Sequence, residues 1–192
     1  MAVANPTVRR WTRDEYYRMA DLGFFQDQRV ELIDGEIIEM APQKDAHAVA
    51  VSLTRDALAE AFGDGYWVRM QLPLRLAEGS DPEPDASVVH GKARDYLGKG
   101  HPTGALLVVE VSDTTLAYDR GPKASLYASA GITDYWIVNL INAQVEVHRE
   151  PVEDADQPHG FRYRKVTALK AGASIRPLAK PAAEVAAADI LP

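Results

Sequence analysis

The hydrophobic positions along the chain change their period several times, and each period predicts a different element. Apolar residues recur at helical spacing over residues 45–62, which are therefore predicted to form the main helix. A second helix is predicted over residues 119–130. Near the start of the chain, Thr12 and Glu15 form a capping-box pattern that predicts a short helix closing near Gly23.

Strand-like patterns lie between and after these helices. Two apolar runs within residues 29–40 flank Asp34-Gly35, and Asp-Gly between such runs is a strong hairpin signal. Residues 105–111 form a continuous apolar run with a single carboxylate, which is typical of a strand buried on both faces. Further strands are predicted over residues 66–76, 85–89, 135–140, 145–148 and 161–166.

The order of these elements predicts an α/β domain with a mixed sheet whose faces are covered by helices. This domain is expected to span residues 29–170 of the 192-residue chain. A tail with a short helix is expected over residues 1–28. Residues 171–192 are rich in Ala and Pro, so they are expected to form a tail and receive no element.

Composition and charge narrow the function classes. Cysteine is absent, which excludes disulfides, thiolate catalysis and cysteine-based metal sites. The formal net charge of −7 counts against a non-specific nucleic-acid coat but leaves room for a local basic groove. No apolar run approaches the roughly 18 residues of a membrane span and no signal sequence is visible, so we expect a soluble, cytoplasmic protein without a membrane partner. Phosphate-loop and dinucleotide motifs are missing, and no organic cofactor is expected.

Two carboxylates stand where the predicted structure gives no local reason for them. Glu110 lies inside the buried apolar run, where an unpaired carboxylate is costly unless it is paired or binds a cation. Asp85 begins a neighbouring short strand, and together the two residues would form the oxygen-rich site that Mg²⁺ or Mn²⁺ prefers. Structural roles remain open, since Glu110 could reach solvent at a strand end and Asp85 could belong to the preceding turn.

Lys123 and Glu31 extend this candidate site. Lys123 falls in the first turn of a predicted helix, where its charge opposes the helix dipole. Beside a metal, it could orient the attacking water and stabilise charge on a phosphate, whereas a solvated surface lysine is the alternative. Glu31 could tune a metal through a water or be an exposed strand carboxylate, and His47 is either a supporting group or a surface histidine.

Several short motifs occur in a fixed order along the chain. They are Glu31-Leu32-Ile33-Asp34-Gly35-Glu36, His47, Pro82-Glu83-Pro84-Asp85, Val108-Val109-Glu110-Val111-Ser112, Tyr118-Asp119-Arg120-Gly121-Pro122-Lys123, Tyr127-Ala128-Ser129-Ala130-Gly131 and Asp134-Tyr135-Trp136-Ile137-Val138. In this order the chain resembles, over residues 29–148, the Uma-two family of restriction endonucleases within the PD-(D/E)xK nuclease superfamily.

The resemblance implies a restriction-endonuclease-like core of helix, three strands, helix and strand, flanked here by an N-terminal and a C-terminal hairpin. It implies a Mg²⁺- or Mn²⁺-dependent endonuclease that hydrolyses DNA. Asp85 and Glu110 match the metal carboxylates of the family, and Glu31 matches an extra one. The superfamily lysine usually follows the second carboxylate by two residues; that position is Ser112 here, and Lys123 matches the displaced lysine.

Supporting roles beside the metal are expected for His47, Ser112 and Asp119, and phosphate contacts for Arg120. The closing strands leave edge surface to cover, which favours a homodimer able to face a DNA duplex. Two alternatives stay open. One is a non-catalytic nucleic-acid or protein-interaction module that retains the nuclease fold. The other is a metal-dependent hydrolase of a different phosphoester.

Overall fold

The structure is a computed structural model that describes residues 7–192. It has a mixed α/β fold, as the sequence predicts. Its helices and strands follow in the order α1 (Arg13–Asp21), β1 (Val30–Ile33), β2 (Glu36–Glu39), α2 (Asp45–Phe62), β3 (Tyr66–Met70), β4 (Ala86–His90), β5 (Leu107–Ser112), α3 (Leu116–Tyr118), α4 (Ala124–Ser129), β6 (Asp134–Asn139), β7 (Gln144–Glu153), β8 (Phe161–Leu169), β9 (Ser174–Ile175) and β10 (Val185–Ala186).

A six-stranded mixed sheet in the order β3-β4-β5-β6-β7-β8 forms the centre of the protein. Only β5 and β6 pair in parallel, because the helical segment between them carries the chain back to the starting edge. The hairpin of β1 and β2 and the pair of β9 and β10 are separate small sheets. The predicted core of helix, three strands, helix and strand corresponds to α2, β3–β5, α4 and β6, and is confirmed.

Alternating side chains divide the sheet into two packed faces. Val109 and Trp136 point to the face covered by α2. Val108 and Tyr135 point to the face covered by α4. Glu110 has the same parity as Val108, so the strand directs its carboxylate towards α4 rather than into the α2 core.

Residues 171–192 pack against the α2 face, although no element was predicted there. They contain β9, β10 and a short 3₁₀ helix over Ala187–Asp189. Ile175, Val185 and Ile190 are almost fully buried in the core beside α2. These apolar residues are widely spaced, so the pattern has no period to detect. The domain boundaries at residues 28 and 170 stay a prediction.

Several element boundaries differ from the predictions. β3 ends at Met70 rather than at residue 76, because Gln71 adopts a positive φ of 49° and Pro73 cannot donate to a ladder. The predicted helix at 119–130 begins earlier, with α3, and continues through a π turn over Asp119–Lys123 into α4. Within residues 7–192, none of the helices has both the length and the apolar character needed to cross a membrane.

Candidate active site

Asp85 and Glu110 lie side by side where β4 and β5 pair. The backbone N–H of Asp85 donates to Glu110 Oε2 over 3.3 Å. In return, the backbone N–H of Val111 donates to Asp85 Oδ2 over 2.9 Å. Both residues are buried. These reciprocal bonds fix the two carboxylates next to each other on the same face of the sheet.

The buried ammonium group of Lys123 links this pair to Glu31 on β1. Lys123 Nζ lies 3.0 Å from Glu110 Oε1 and 3.2 Å from Glu31 Oε1. The hydroxyl of Tyr127 also donates to Glu110 Oε1, over 2.6 Å. Glu31 is fixed from its other side, since its Oε2 accepts from the backbone N–H of Glu83 at 3.0 Å. The structure therefore brings Glu31, Glu110 and Lys123 into direct contact.

The three supporting residues proposed from the sequence also lie here. His47 Nε2, in the first turn of α2, is 3.4 Å from Asp85 Oδ2. Burial raises the pKa of Asp85, but the hydrogen bond and charge of His47 outweigh it and hold that pKa below its usual value. Asp119 Oδ2 accepts from Ser112 Oγ and from Thr115 Oγ1, each at 2.6 Å. Asp119 is thus anchored at the end of β5.

A cleft of about 550 Å³ opens above these groups. Its acidic and basic lining residues are the carboxylates Glu31, Glu39, Glu83, Asp85, Glu110, Asp113 and Asp119, the cations Arg29, Lys44 and Lys123, and His47. Carboxylates outnumber cations by more than two to one, so the cleft attracts cations and repels phosphate until a cation is added.

Comparison with known proteins agrees with this geometry. A family model named Uma2, with the description "Putative restriction endonuclease", matches residues 13–186. The chain belongs to the Uma2 family. The family predicted from the sequence motifs is therefore confirmed.

A solved structure supports the Uma2 fold independently. The chain is similar to a crystal structure described as a "putative nuclease belonging to DUF820" from Anabaena variabilis ATCC 29413, with a TM-score of 0.68. The match covers 93% of this chain and 96% of the other at 13% sequence identity, so it shows a shared fold alone. No curated protein matches the sequence of this chain.

Burial and repulsion shape the protonation of the Uma2 site. Burial raises the pKa of Glu110 to about 8; the ammonium of Lys123 opposes this shift, while Asp119, Asp85 and Glu31 add to it. Burial lowers the pKa of Lys123, but the surrounding carboxylates outweigh burial and raise it well above its usual value. Lys123 is therefore charged, and its ammonium is the main group that favours the charged form of Glu110 against burial.

The donor chemistry of the site fits a hard divalent cation. Within residues 7–192, no group of three or more Asp, Glu or His side chains is already spaced as a metal ligand set. Mg²⁺, however, usually takes only one or two protein carboxylates and completes its shell with waters and substrate phosphate. Asp85 and Glu110 line the cleft and meet this requirement, and Glu31 lies beside them.

Arg120 has a different place from the one expected. Its guanidinium forms a two-pronged ion pair with Glu146 on β7, with Nε–Oε2 and Nη2–Oε1 distances of 2.8 and 2.6 Å. Asn139 Nδ2 donates to the same carboxylate at 2.6 Å. Arg120 is absent from the residues that line the cleft. Arg120 thus ties the π turn to the sheet, and its expected phosphate contact stays a prediction.

Two contacts of the site escaped the sequence analysis. Tyr127 lies four residues after Lys123, which is one helical turn, so the spacing could have placed it on the same face. Gln71 Nε2 donates to Asp85 Oδ1 over 3.1 Å. Its position depends on the positive φ that ends β3, and nothing in the sequence signals this conformation.

Proposed function

We propose that this Uma2 protein is a divalent-metal-dependent endonuclease that hydrolyses phosphodiester bonds of DNA. The family description supports a nuclease. The observation that carries the proposal is the pairing of Asp85 and Glu110 across two strands, in one cleft with Lys123 only 3.0 Å from Glu110. Paired carboxylates with a nearby ammonium suit metal-assisted phosphoryl chemistry.

Asp85 and Glu110 are the residues that would hold Mg²⁺ or Mn²⁺, with Glu31 as a further carboxylate. A bound ion of this kind supplies Lewis acidity and lowers the pKa of a coordinated water. The excess of carboxylates in the cleft also favours a cation-dependent reaction, because a phosphodiester would otherwise meet a negative surface.

The remaining groups of the site neutralise negative charge or orient the two carboxylates. An ammonium group has three donor hydrogens, and Lys123 uses only two of them in its contacts with Glu110 and Glu31. The third is available for a phosphate oxygen or the attacking water. Tyr127 orients Glu110, and His47 orients Asp85 through the 3.4 Å contact described above.

We further propose that the protein acts on DNA as a homodimer. β8 lies at one edge of the central sheet, and its outer backbone groups pair with no strand in the described part of the chain. A twofold dimer would let two clefts face a duplex with matching symmetry.

One observation favours a second candidate, a non-catalytic nucleic-acid or protein-interaction module on the same fold. Lys123 already bridges Glu31 and Glu110, so these carboxylates are compensated without any metal. A module of this kind would need no ion and would bind without cutting.

Cleavage of supercoiled plasmid distinguishes the two candidates. The endonuclease should produce nicked or linear plasmid with Mg²⁺ or Mn²⁺ and none with EDTA. Binding of plasmid without any cleavage, under either metal, would favour the module.

A further inference from the structure

The connection from β4 to β5 carries a group of exposed, unpaired cations, which we call the basic loop (residues 91–101). Lys92, Arg94 and Lys99 are all exposed. None of the three forms an ion pair within the part of the chain that the structure describes. The single acid of the loop, Asp95, accepts from the backbone N–H of Lys92 at 2.8 Å. The loop is thus positive on a chain whose net charge is −7.

Exposed arginines on β8 differ from the cations of the basic loop, because they form ion pairs. Arg162 lies 2.9 Å from Asp154, and Arg164 lies 2.9 Å from Glu150. Their charges are compensated within the chain. The cations of the basic loop lack such partners, so their field is directed to solvent and to whatever binds there.

A buried arginine lies beneath the loop. Arg69 is only 1% exposed, and it has no carboxylate partner among the described residues. Its guanidinium donates to Pro73 O at 2.9 Å and lies 5.1 Å from the Trp67 ring. That ring in turn lies 5.5 Å from Tyr96 of the loop. Trp67 and Arg69 therefore lie beneath the basic loop, and the charge of Arg69 adds to its positive potential.

The basic loop connects to the face of the sheet that holds the candidate site. Trp67 and Arg69 alternate along β3 and share one face. Arg69 Nη1 donates to Ser87 Oγ over 3.4 Å, and Ser87 lies two residues after Asp85, so this face is the one that holds the candidate site. From Asp85 to His90 the chain advances by five residues, or about 17 Å of strand. One strand of B-form DNA covers this distance with about five nucleotides.

We propose that the basic loop is a second contact surface for the phosphate backbone of nucleic acid, about five nucleotides from the bond at the cleft. This inference rests on the proposed function. The acidic cleft repels phosphate, so affinity has to come from cations elsewhere, and the basic loop offers unpaired ones. Leu97, which is 84% exposed between Arg94 and Lys99, supplies an apolar side chain for sugar or base contact.

The test compares two triple variants that each remove three positive charges. The loop variant is Lys92→Gln with Arg94→Gln and Lys99→Gln; the matched control is Arg9→Gln with Arg55→Gln and Arg176→Gln, three arginines outside β8 that form ion pairs with Glu15, Asp56 and Glu184. Binding of a labelled DNA duplex is measured by fluorescence anisotropy in EDTA over about 50 to 200 mM salt. All six residues are exposed, and thermal melts verify that both variants fold.

The loop variant should bind at least about tenfold more weakly, and its log–log salt slope should be shallower by about 3, one for each lost phosphate contact. The control should bind within about twofold of the wild type. Equal losses in both variants, no loss in the loop variant, or no duplex binding by the wild type at about 50 mM salt overturns the proposal.

Cleavage assays on the same proteins separate this proposal from the proposed function. A wild type that never cleaves, with a loop variant that loses binding, supports the proposed contact surface and contradicts the proposed endonuclease activity. A wild type that cleaves, with a loop variant that binds and cleaves as well as the wild type, supports the endonuclease and overturns the proposed contact surface.

Discussion

Lys123 is the residue on which the electrostatics of the cleft depend most. The residue is 6% exposed, and its ammonium group lies between the carboxylates of Glu31 and Glu110. Removing one partner of a buried ion pair is far more costly than the net contribution of the pair, because the other charge stays buried without compensation. The same ammonium is the group proposed to meet the phosphate, so stability and activity should respond differently to its loss.

Lys123→Met removes the charge and keeps most of the side-chain length. Without metal, the free energy of unfolding should fall by about 3 kcal/mol, because Glu31 and Glu110 lose their shared counter-ion. Cleavage should fall by at least about a hundredfold. Thermal melts with EDTA and with Mg²⁺ check metal binding: the rise in Tm on adding Mg²⁺ should match or exceed that of the wild type, since lysine supplies no metal ligand. Wild-type cleavage by this variant would exclude a catalytic role for Lys123.

Tyr127→Phe tests whether orientation of Glu110 matters. The variant loses the 2.6 Å hydrogen bond to Glu110 Oε1, so stability should fall by about 1 to 2 kcal/mol and the cleavage rate by about tenfold. Tyr163→Phe is the matched control, because that hydroxyl donates to Ile132 O at 2.8 Å, away from the cleft. Denaturant melts and cleavage rates are measured for both. Similar losses of rate in both variants would show that Tyr127 acts only through stability.

At the scale of elements, the π turn is the part that the site depends on. It carries Asp119 at its start and Lys123 at its end. Arg120, between them, ties the turn to Glu146 on β7 by two hydrogen bonds. The hydroxyl of Tyr135 on β6 also donates to the backbone carbonyl of Asp119 at 3.0 Å. The position of Lys123 in the cleft is therefore set by β6 and β7, the two strands that follow β5 in the sheet.

Glu146→Gln should loosen this tie. Burial raises the pKa of Glu146, but the nearby imidazole of His148 and the hydrogen bonds from Arg120 and Asn139 outweigh it and leave that pKa below its usual value. A carboxyl with a lowered pKa in the folded state stabilises the fold above its unfolded pKa of about 4.3, and this contribution is lost as the pH falls further. The variant should therefore be less stable by about 1 to 2 kcal/mol at pH 7, with a smaller difference near pH 3.

Glu150→Gln is the control, because its ion pair with Arg164 is exposed and contributes at most about 1 kcal/mol. Urea melts at both pH values check the stabilities. A loss in Glu146→Gln that persists unchanged at low pH would contradict the ionic role of this carboxylate. Amide exchange of residues 119–124 should accelerate in Glu146→Gln and not in Glu150→Gln.

Local patterns predicted most elements, and long-range contacts account for the rest. The buried run around Glu110 indicated both a strand and an unexplained carboxylate, because both facts are encoded in six adjacent residues. The partner of Arg120 is 26 residues away, so no local pattern could distinguish a structural arginine from a phosphate ligand. The early end of β3 depends on the positive φ of Gln71, a residue type that rarely adopts it.

At the scale of the whole molecule, the proposed homodimer is open to direct measurement. Within residues 7–192, the backbone groups on the outer side of β8 have no strand partner, and exposed Val166 lies on this strand. Light scattering at tens of micromolar should give twice the mass of one chain if the edge is covered by a second copy. A monomeric mass at that concentration would contradict the dimer without affecting the chemistry of the single cleft.

The most direct test of the proposed endonuclease is the rate of nicking of supercoiled plasmid by the wild type, Glu110→Gln and the control Glu150→Gln. Glutamine keeps the shape of Glu110 and removes the negative charge that would hold the metal. With Mg²⁺ or Mn²⁺, the wild type and Glu150→Gln should nick the plasmid at equal rates, and Glu110→Gln at least about a hundredfold more slowly. EDTA should abolish nicking by all three. Equal nicking by Glu110→Gln, or none by the wild type under either metal, would contradict a metal-dependent nuclease built on Asp85 and Glu110.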